Sequence, residues 1–235
     1  MQLAEFVSFP DVAVELGAIT DPRVIAAASW LERFLYRRSD AVTVLSEDLR
    51  DNVAGKLGGA RPERVRVIPN FVDTDRIRPS PRENEYRREY GLGDRTVVMY
   101  AGNVGLSQSL DLVVEAARRF GDRDDVVFVI NGGGSAREEL ERSAAGLPNL
   151  RFVDMQPRER LPEVLAAADV HLVPLRRGLA RSSVPSKLYS ILAAGRPVLA
   201  SVDPGTEVAN TVERAAAGIS VPPEDADAFC DALEQ

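Results

Sequence analysis

Sulfur and imidazole are nearly absent from this 235-residue chain, which holds one cysteine, Cys230, and one histidine, His171. A disulfide framework needs paired cysteines and a Cys/His metal site needs several such ligands, so the first is excluded and the second nearly so. Long hydrophobic runs are missing too. Nothing approaches the roughly 18 apolar residues of a membrane-spanning helix, and Met1 is followed by no basic segment leading into an apolar one. The expected location is the cytoplasm. Net positive charge is lacking as well: 29 basic residues face 36 acidic ones for a net charge of −7. That excludes general nucleic-acid binding and confines any anion site to a local patch. Lys187 is the only lysine between Lys56 and the C-terminus.

What is present is ordinary for a globular protein, with 45% hydrophobic and 28% charged residues. From Thr96 onward, apolar runs alternate with helical patterns. The runs are VVMYA (97–101), VVFVI (126–130), LRFV (150–153), VHLVP (170–174), PVLAS (197–201) and GISV (218–221). Helices are expected near 109–120, 136–145, 158–167, 186–194, 205–216 and 224–234. Strands apolar on both faces, separated by amphipathic helices, call for a parallel sheet covered on both sides, which is a doubly wound α/β domain.

The first seventy residues repeat this grammar in shortened form. Asp21-Pro22 starts a helix whose apolar stripe holds Leu31, Phe34 and Leu35, AVTVL (41–45) is a strand, Ser46 caps a further helix, and VRVIPN (65–70) is the next strand. The charged, proline-containing segment 73–85 suits a connector, which places a boundary between 1–70 and 71–235. Trp30, Phe34 and Tyr36 are read as core, with an anionic membrane surface as the alternative beside Arg33, Arg37 and Arg38. RENEYRREYG (82–91) is read as a solvated helix ended by Gly91. His171 within a strand and Cys230 on the last helix are read as packing residues.

In an open parallel sheet, ligands bind beyond the carboxyl ends of the strands. The loop GNVGLSQS (102–109) offers Gly102 and Gly105, where backbone can approach a ligand, and NGGGS (131–135) offers three glycines before a helix. Neither is GxGxxG, and no acid ends the second strand to hold a ribose, so a nicotinamide site is disfavoured. The segment RRGLARSSVPSK (176–187) gathers Arg176, Arg177, Arg181 and Lys187 before a helix, and such a cluster suits a diphosphate. Lys187 in a first helical turn opposes the helix dipole, a penalty that a bound anion would offset. DPGTEVA (203–209) puts Thr206 and Glu207 at another helix start, where the acid serves the dipole or holds a sugar hydroxyl.

Taken together, DAVTVLS, VIPNFVDTDRIRP, VMYAGNVG, NGGGSAREEL, AAADVHLVPL, VPSKLYSILAAGRPVLAS and DPGTEVA resemble family 4 of the retaining glycosyltransferases of two-lobed GT-B fold. VPSKLY and PDVAVELG look most like the branch of N-acetylfucosamine and colanic-acid-type transferases. The resemblance implies an incomplete N-terminal acceptor lobe followed by a C-terminal lobe that binds a nucleotide-diphosphate sugar, UDP-linked, with no metal and no other cofactor. It implies the diphosphate on Gly102, Asn103, Gly105 and Lys187, with Arg181 beside them, and the base near the 131–135 loop, with Gly133 and Gly134, and near Gln156-Pro157. Ribose or sugar contacts would come from Ser182, Ser186 and Ser190, and sugar hydroxyls would lie near Thr206 and Glu207. Lys187 and the helix amides would stabilise the leaving diphosphate, with Arg181 or its neighbours as the catalytic charge that replaces a basic residue absent from the first glycine loop. Two departures stand out: members commonly carry two glutamates where this chain has Ser182 and Ser190, and the basic residue usual in the first glycine loop is missing near Leu106 to Gln108.

The activity so implied is retaining transfer of a hexosyl or acetamidohexosyl group to a saccharide or polyprenyl-linked acceptor in bacterial surface-polysaccharide synthesis. Peripheral contact with the inner membrane face goes with a lipid-linked acceptor. Because the chain reads as lacking most of one lobe, it is expected to bind donor weakly and to transfer little by itself. The alternative is a non-catalytic nucleotide-binding partner module.

Overall fold

A computed structural model describes residues 2–5, 10–59 and 62–235. The chain runs β1 (Gln2–Glu5), α1 (Asp11–Glu15), α2 (Pro22–Arg38), β2 (Ala41–Val44), α3 (Glu47–Lys56), β3 (Val65–Val67), α4 (Glu85–Glu89), β4 (Thr96–Ala101), α5 (Asp111–Arg119), β5 (Val126–Asn131), α6 (Arg137–Ser143), β6 (Leu150–Val153), α7 (Leu161–Ala167), β7 (Val170–Pro174), α8 (Lys187–Ala193), β8 (Val198–Ser201), α9 (Glu207–Arg214), β9 (Gly218–Val221) and α10 (Ala226–Leu233).

The caps follow from side-chain chemistry. Asp21 accepts a hydrogen bond from the Arg23 amide (2.8 Å) with Pro22 in the first turn of α2. Ser46, Asn84 and Asp225 do the same for α3, α4 and α10. Each satisfies an amide the helix itself cannot, an effect of about 1 kcal/mol.

Two parallel sheets result. The smaller has the order β1-β2-β3 and the larger β6-β5-β4-β7-β8-β9. In the larger sheet β4 pairs with β5 on one side and β7 on the other, Val98 facing both Phe128 and Val170. The strand order reverses at β4, and the crevice this opens at the strand ends is where such sheets hold ligands. β5 is buried throughout, because helices cover both faces. α5 and α10 lie over Val98, Phe128 and Ile130, while α7 and α4 lie over Met99, Val127 and Val129. Each fully buried aliphatic side chain there contributes about 1.5–3 kcal/mol.

The smaller sheet is tied to the larger one. Val184 packs among Val42, Val44 and Leu49, and Tyr189 of α8 touches both clusters. The Asp48 carboxylate of α3 accepts from the Glu207 amide (2.9 Å) at the start of α9. The connector is anchored by Ile77, buried beneath the larger sheet.

Several expectations need correction. β1 was not foreseen, and β3 stops at Val67, short of Asn70. The segment 82–91 is not a solvated face: Tyr86 is fully buried and Arg87 is 3% exposed. Arg87 donates to the carbonyls of Ala167 and Gly93 (both 2.8 Å) and pairs with Asp169. Burial opposes ionisation of Asp169, yet the Val97 amide, Arg82 and Arg87 hold its carboxyl below the usual range. The core reading holds for Tyr36, which donates to Glu32 (2.9 Å), but not for its neighbours. Trp30 is 64% and Phe34 44% exposed, and their rings stack 5.5 Å apart on the outer side of α2.

His171 is fully buried, with Nε2 2.9 Å from the Leu165 carbonyl. Burial pushes it down to about 4, so it is neutral at physiological pH and serves packing. Cys230 is buried beneath α10 and burial pushes its thiol up.

Candidate functional site

A cavity of about 580 Å³ opens at the switch point. Tyr100, Ala101, Gly102 and Asn103 bring the end of β4 to it, and Asn131 ends β5 there. Met155, Gln156 and Arg158 follow β6, Leu161, Val164 and Leu165 come from α7, and Pro185, Ser186, Lys187 and Ser190 open α8. Most of the wall is apolar, with a few convergent polar groups, as ligand pockets usually are.

Lys187 is the principal charge at this site. Its ammonium lies over the Tyr100 ring, 3.6 Å from the centroid, and against Gly102, where an added Cβ would sit 2.7 Å from Nζ. Gly102 has φ +147°, so the loop needs glycine for conformation as well as for room. Among the described residues, no carboxylate or carbonyl meets Lys187. The other lysine differs: Lys56 pairs with Asp11 (2.8 Å) and Glu32 (2.5 Å). Loss of hydration pushes Lys187 down to about 7. The first turn of α8 contains no acid to offset the dipole. A partly buried cation with no counter-charge at a helix start is a site prepared for an anion.

The remaining site expectations divide by position. Gly102, Asn103, Gln156, Ser186, Lys187 and Ser190 share the cavity. Gly105 lies behind it, its amide donating to Gln108 Oε1 (3.0 Å). Gly133 and Gly134 do not line it either. Their loop is zipped to the β4 loop by Gly102 N to Asn131 O (2.9 Å) and Val104 N to Gly133 O (2.8 Å). Ser182 is buried elsewhere, beside the Glu15 carboxylate of α1.

The basic cluster of 176–187 does not assemble around the cavity. Arg176 donates to the Leu106 carbonyl (2.7 Å) and pairs with Glu224 (3.5 Å), Arg177 donates to the Pro223 carbonyl (3.0 Å), and Arg181 is exposed outside the cavity. Thr206 is buried, donating to the Asp203 carbonyl (2.7 Å), and Glu207 binds Thr211 (2.9 Å) and Arg214 (3.1 Å). The start of α9 already has its anion in Asp48.

Of the 131–135 loop, it is Asn131 at the end of β5, and not the glycines, that lines the cavity, and the reading from sequence missed Tyr100, Met155 and Arg158.

A profile described as glycosyl transferases group 1 matches residues 95–235, and one described as Glycosyltransferase Family 4 matches residues 19–76. The chain belongs to the group 1 glycosyltransferases. It is 31% identical over 219 residues to the Escherichia coli K12 protein named for colanic acid biosynthesis, the glycosyl transferase WcaI, covering 91% of this chain and 53% of that one. It is 29% identical over 225 residues to the alpha-D-kanosaminyltransferase of Streptomyces kanamyceticus, covering 92% and 55%. This glycosyltransferase chain thus spans about half the length of the relatives it matches.

Its fold is GT-B. The structure of Anabaena HepE in complex with UDP superposes with a TM-score of 0.76 at 15% identity, over 99% of this chain and 61% of that one. Of Ser182 and Ser190, Ser190 lines the cavity and Ser182 does not.

Proposed function

We propose that the cavity holds the nucleoside diphosphate of a sugar donor, UDP-linked, and that the protein transfers a hexosyl or acetamidohexosyl group with retention to a saccharide or polyprenyl-linked acceptor in surface-polysaccharide synthesis. The observation that carries this reading is Lys187, a cation without a counter-charge among the described residues, at the mouth of α8. The colanic-acid name of one relative supports the pathway class, and the UDP complex of HepE supports the donor class.

In this reading the bond between the sugar C1 and the terminal phosphate oxygen breaks, and Lys187 stabilises the charge that develops on that oxygen. The positive charge comes from the side chain, so no metal is assigned to the step. Among the described residues, no Asp or Glu lines the cavity. The departing phosphate is then the base nearest the acceptor hydroxyl, on the face the diphosphate leaves, and attack from that face retains configuration. Peripheral membrane contact is assigned to the outer side of α2, where Trp30, Leu31 and Phe34 are exposed beside Arg33, Arg37 and Arg38.

The test is titration calorimetry of the chain against UDP, GDP, ADP and NAD, with Lys187→Ala beside it. One nucleoside diphosphate should bind preferentially and the variant should lose it. Equal binding of all four, or no effect of the variant, opposes the reading.

A further inference from the structure

Three side-chain amides line the cavity, those of Asn103, Asn131 and Gln156; Asn103 is exposed, and the other two differ in the hydrogen-bonding capacity they have left. Gln156 is largely spent: Nε2 donates to the Tyr90 hydroxyl and the Asp154 carbonyl (both 3.0 Å), and Oε1 accepts from Arg160 (2.9 Å). Asn131 is held at one end only. Its Oδ1 accepts from the buried Tyr86 hydroxyl at 2.7 Å, and burial keeps that phenol protonated far above physiological pH. The hydroxyl makes no other hydrogen bond among the described residues. Turning the amide round would leave the phenolic hydrogen without an acceptor, so the bond fixes which end of Asn131 is which. Nδ2, with two hydrogens, is the end left for the cavity, and it meets no protein acceptor among the described residues. Asn131 is 3% exposed, and a buried donor of this kind is completed by its ligand.

We infer that Asn131 reads a carbonyl oxygen on the base of the nucleotide, and that Tyr86 is the positioning residue that turns its donor toward the ligand. This rests on the donor site proposed above. The neighbouring wall of Met155, Leu161, Val164 and Leu165 is apolar and suits a flat ring. A donor facing that ring favours a lactam base, uracil or guanine, over adenine, whose amino group presents hydrogens where the carbonyl would stand. Tyr86 packs on Tyr90 with centroids 4.7 Å apart, so α4 and the tyrosine that caps it hold Asn131 and Gln156 in place together.

The experiment is calorimetric titration of the 235-residue chain with UDP, GDP, ADP and inorganic pyrophosphate, for the wild type, Asn131→Ala, Tyr86→Phe and the double variant. The double variant leaves no buried hydroxyl unpaired, and thermal melting checks that each folds. Asn131→Ala should weaken the preferred lactam nucleotide about tenfold, narrow its advantage over ADP, and leave pyrophosphate unchanged. Tyr86→Phe should act in the same direction, and adding it to Asn131→Ala should change nothing further. Unchanged nucleotide affinity in folded Asn131→Ala, an equal loss for pyrophosphate, or ADP binding as tightly as UDP and GDP overturns the inference alone. A wild type that binds no nucleotide overturns the donor-site reading, and this inference with it.

Discussion

The Lys187 ammonium rests 3.6 Å from the centroid of the Tyr100 ring, so the cation of this site is held by an aromatic face in place of a carboxylate. A ring face attracts a cation by about 0.5–2 kcal/mol, less than the desolvation it must offset. The arrangement keeps the charge in place and leaves it unneutralised.

Replacing Lys187 by methionine keeps the stem and removes the charge. The ligand-free variant should be more stable than the wild type by about 1–2 kcal/mol at pH 7, because an unfavourable dipole contact and a desolvated charge are both lost. Nucleoside diphosphate affinity should fall about 10- to 100-fold. Urea denaturation and calorimetry check the two halves. A destabilised variant would mean that Lys187 is a structural residue.

Binding should also take up protons. With Lys187 pushed down to about 7, most of it is neutral at pH 8, and a bound diphosphate favours the charged form. Titrations at pH 8 in buffers of different ionisation enthalpy should give an uptake approaching one proton, and affinity should fall as pH rises above about 7. For the ligand-free protein, a folded value below the ordinary lysine value of 10.5 means fewer protons bound when folded, so stability from this group rises between about pH 7 and 10.5. Buffer-independent heats would count against the assignment.

The glycines of the second loop should separate cleanly. A Cβ on Gly132 would lie 1.8 Å from the Gly102 carbonyl oxygen, whereas one on Gly133 would meet nothing within 4 Å. Gly132→Ala should cost about 3 kcal/mol or more by forcing the two loops apart, and Gly133→Ala should stay within about 0.5 kcal/mol. Thermal melts of the two variants decide it, and equal effects would mean the loops are not packed together.

Vesicle flotation tests the membrane contact. The chain should float with vesicles containing anionic phospholipid and much less with neutral ones, and salt should weaken the effect because screening acts over about 8 Å at physiological ionic strength. Trp30→Ala combined with Phe34→Ala should reduce the bound fraction severalfold. The same distribution with and without anionic lipid would rule out this surface.

The alternation of strands and helices after Thr96 was legible from residue pattern alone, because a strand buried on both faces must be apolar throughout, as Val126 to Ile130 are. Caps such as Asp21 and Ser46 were legible because they act within one helical turn. Lys187 stood out for a local reason as well, as a charge of the wrong sign for its place in a helix.

Other features depend on contacts between residues distant in the chain. RENEYRREYG has the charge density of a surface helix, yet Arg87 is buried because the carbonyls of Ala167 and Gly93 and the carboxylate of Asp169 surround it. Arg176 and Arg177 look like a diphosphate clamp until Glu224 and Pro223 take them up. The start of α9 looks open to a sugar hydroxyl until Asp48, 159 residues earlier, takes its amide and Thr211 and Arg214 take the Glu207 carboxylate. Local propensity and period determined the elements and their order. Only the tertiary structure decided which charges remained unpaired, because a charge is neutralised by whatever lies within a few ångströms of it, and sequence distance does not measure that.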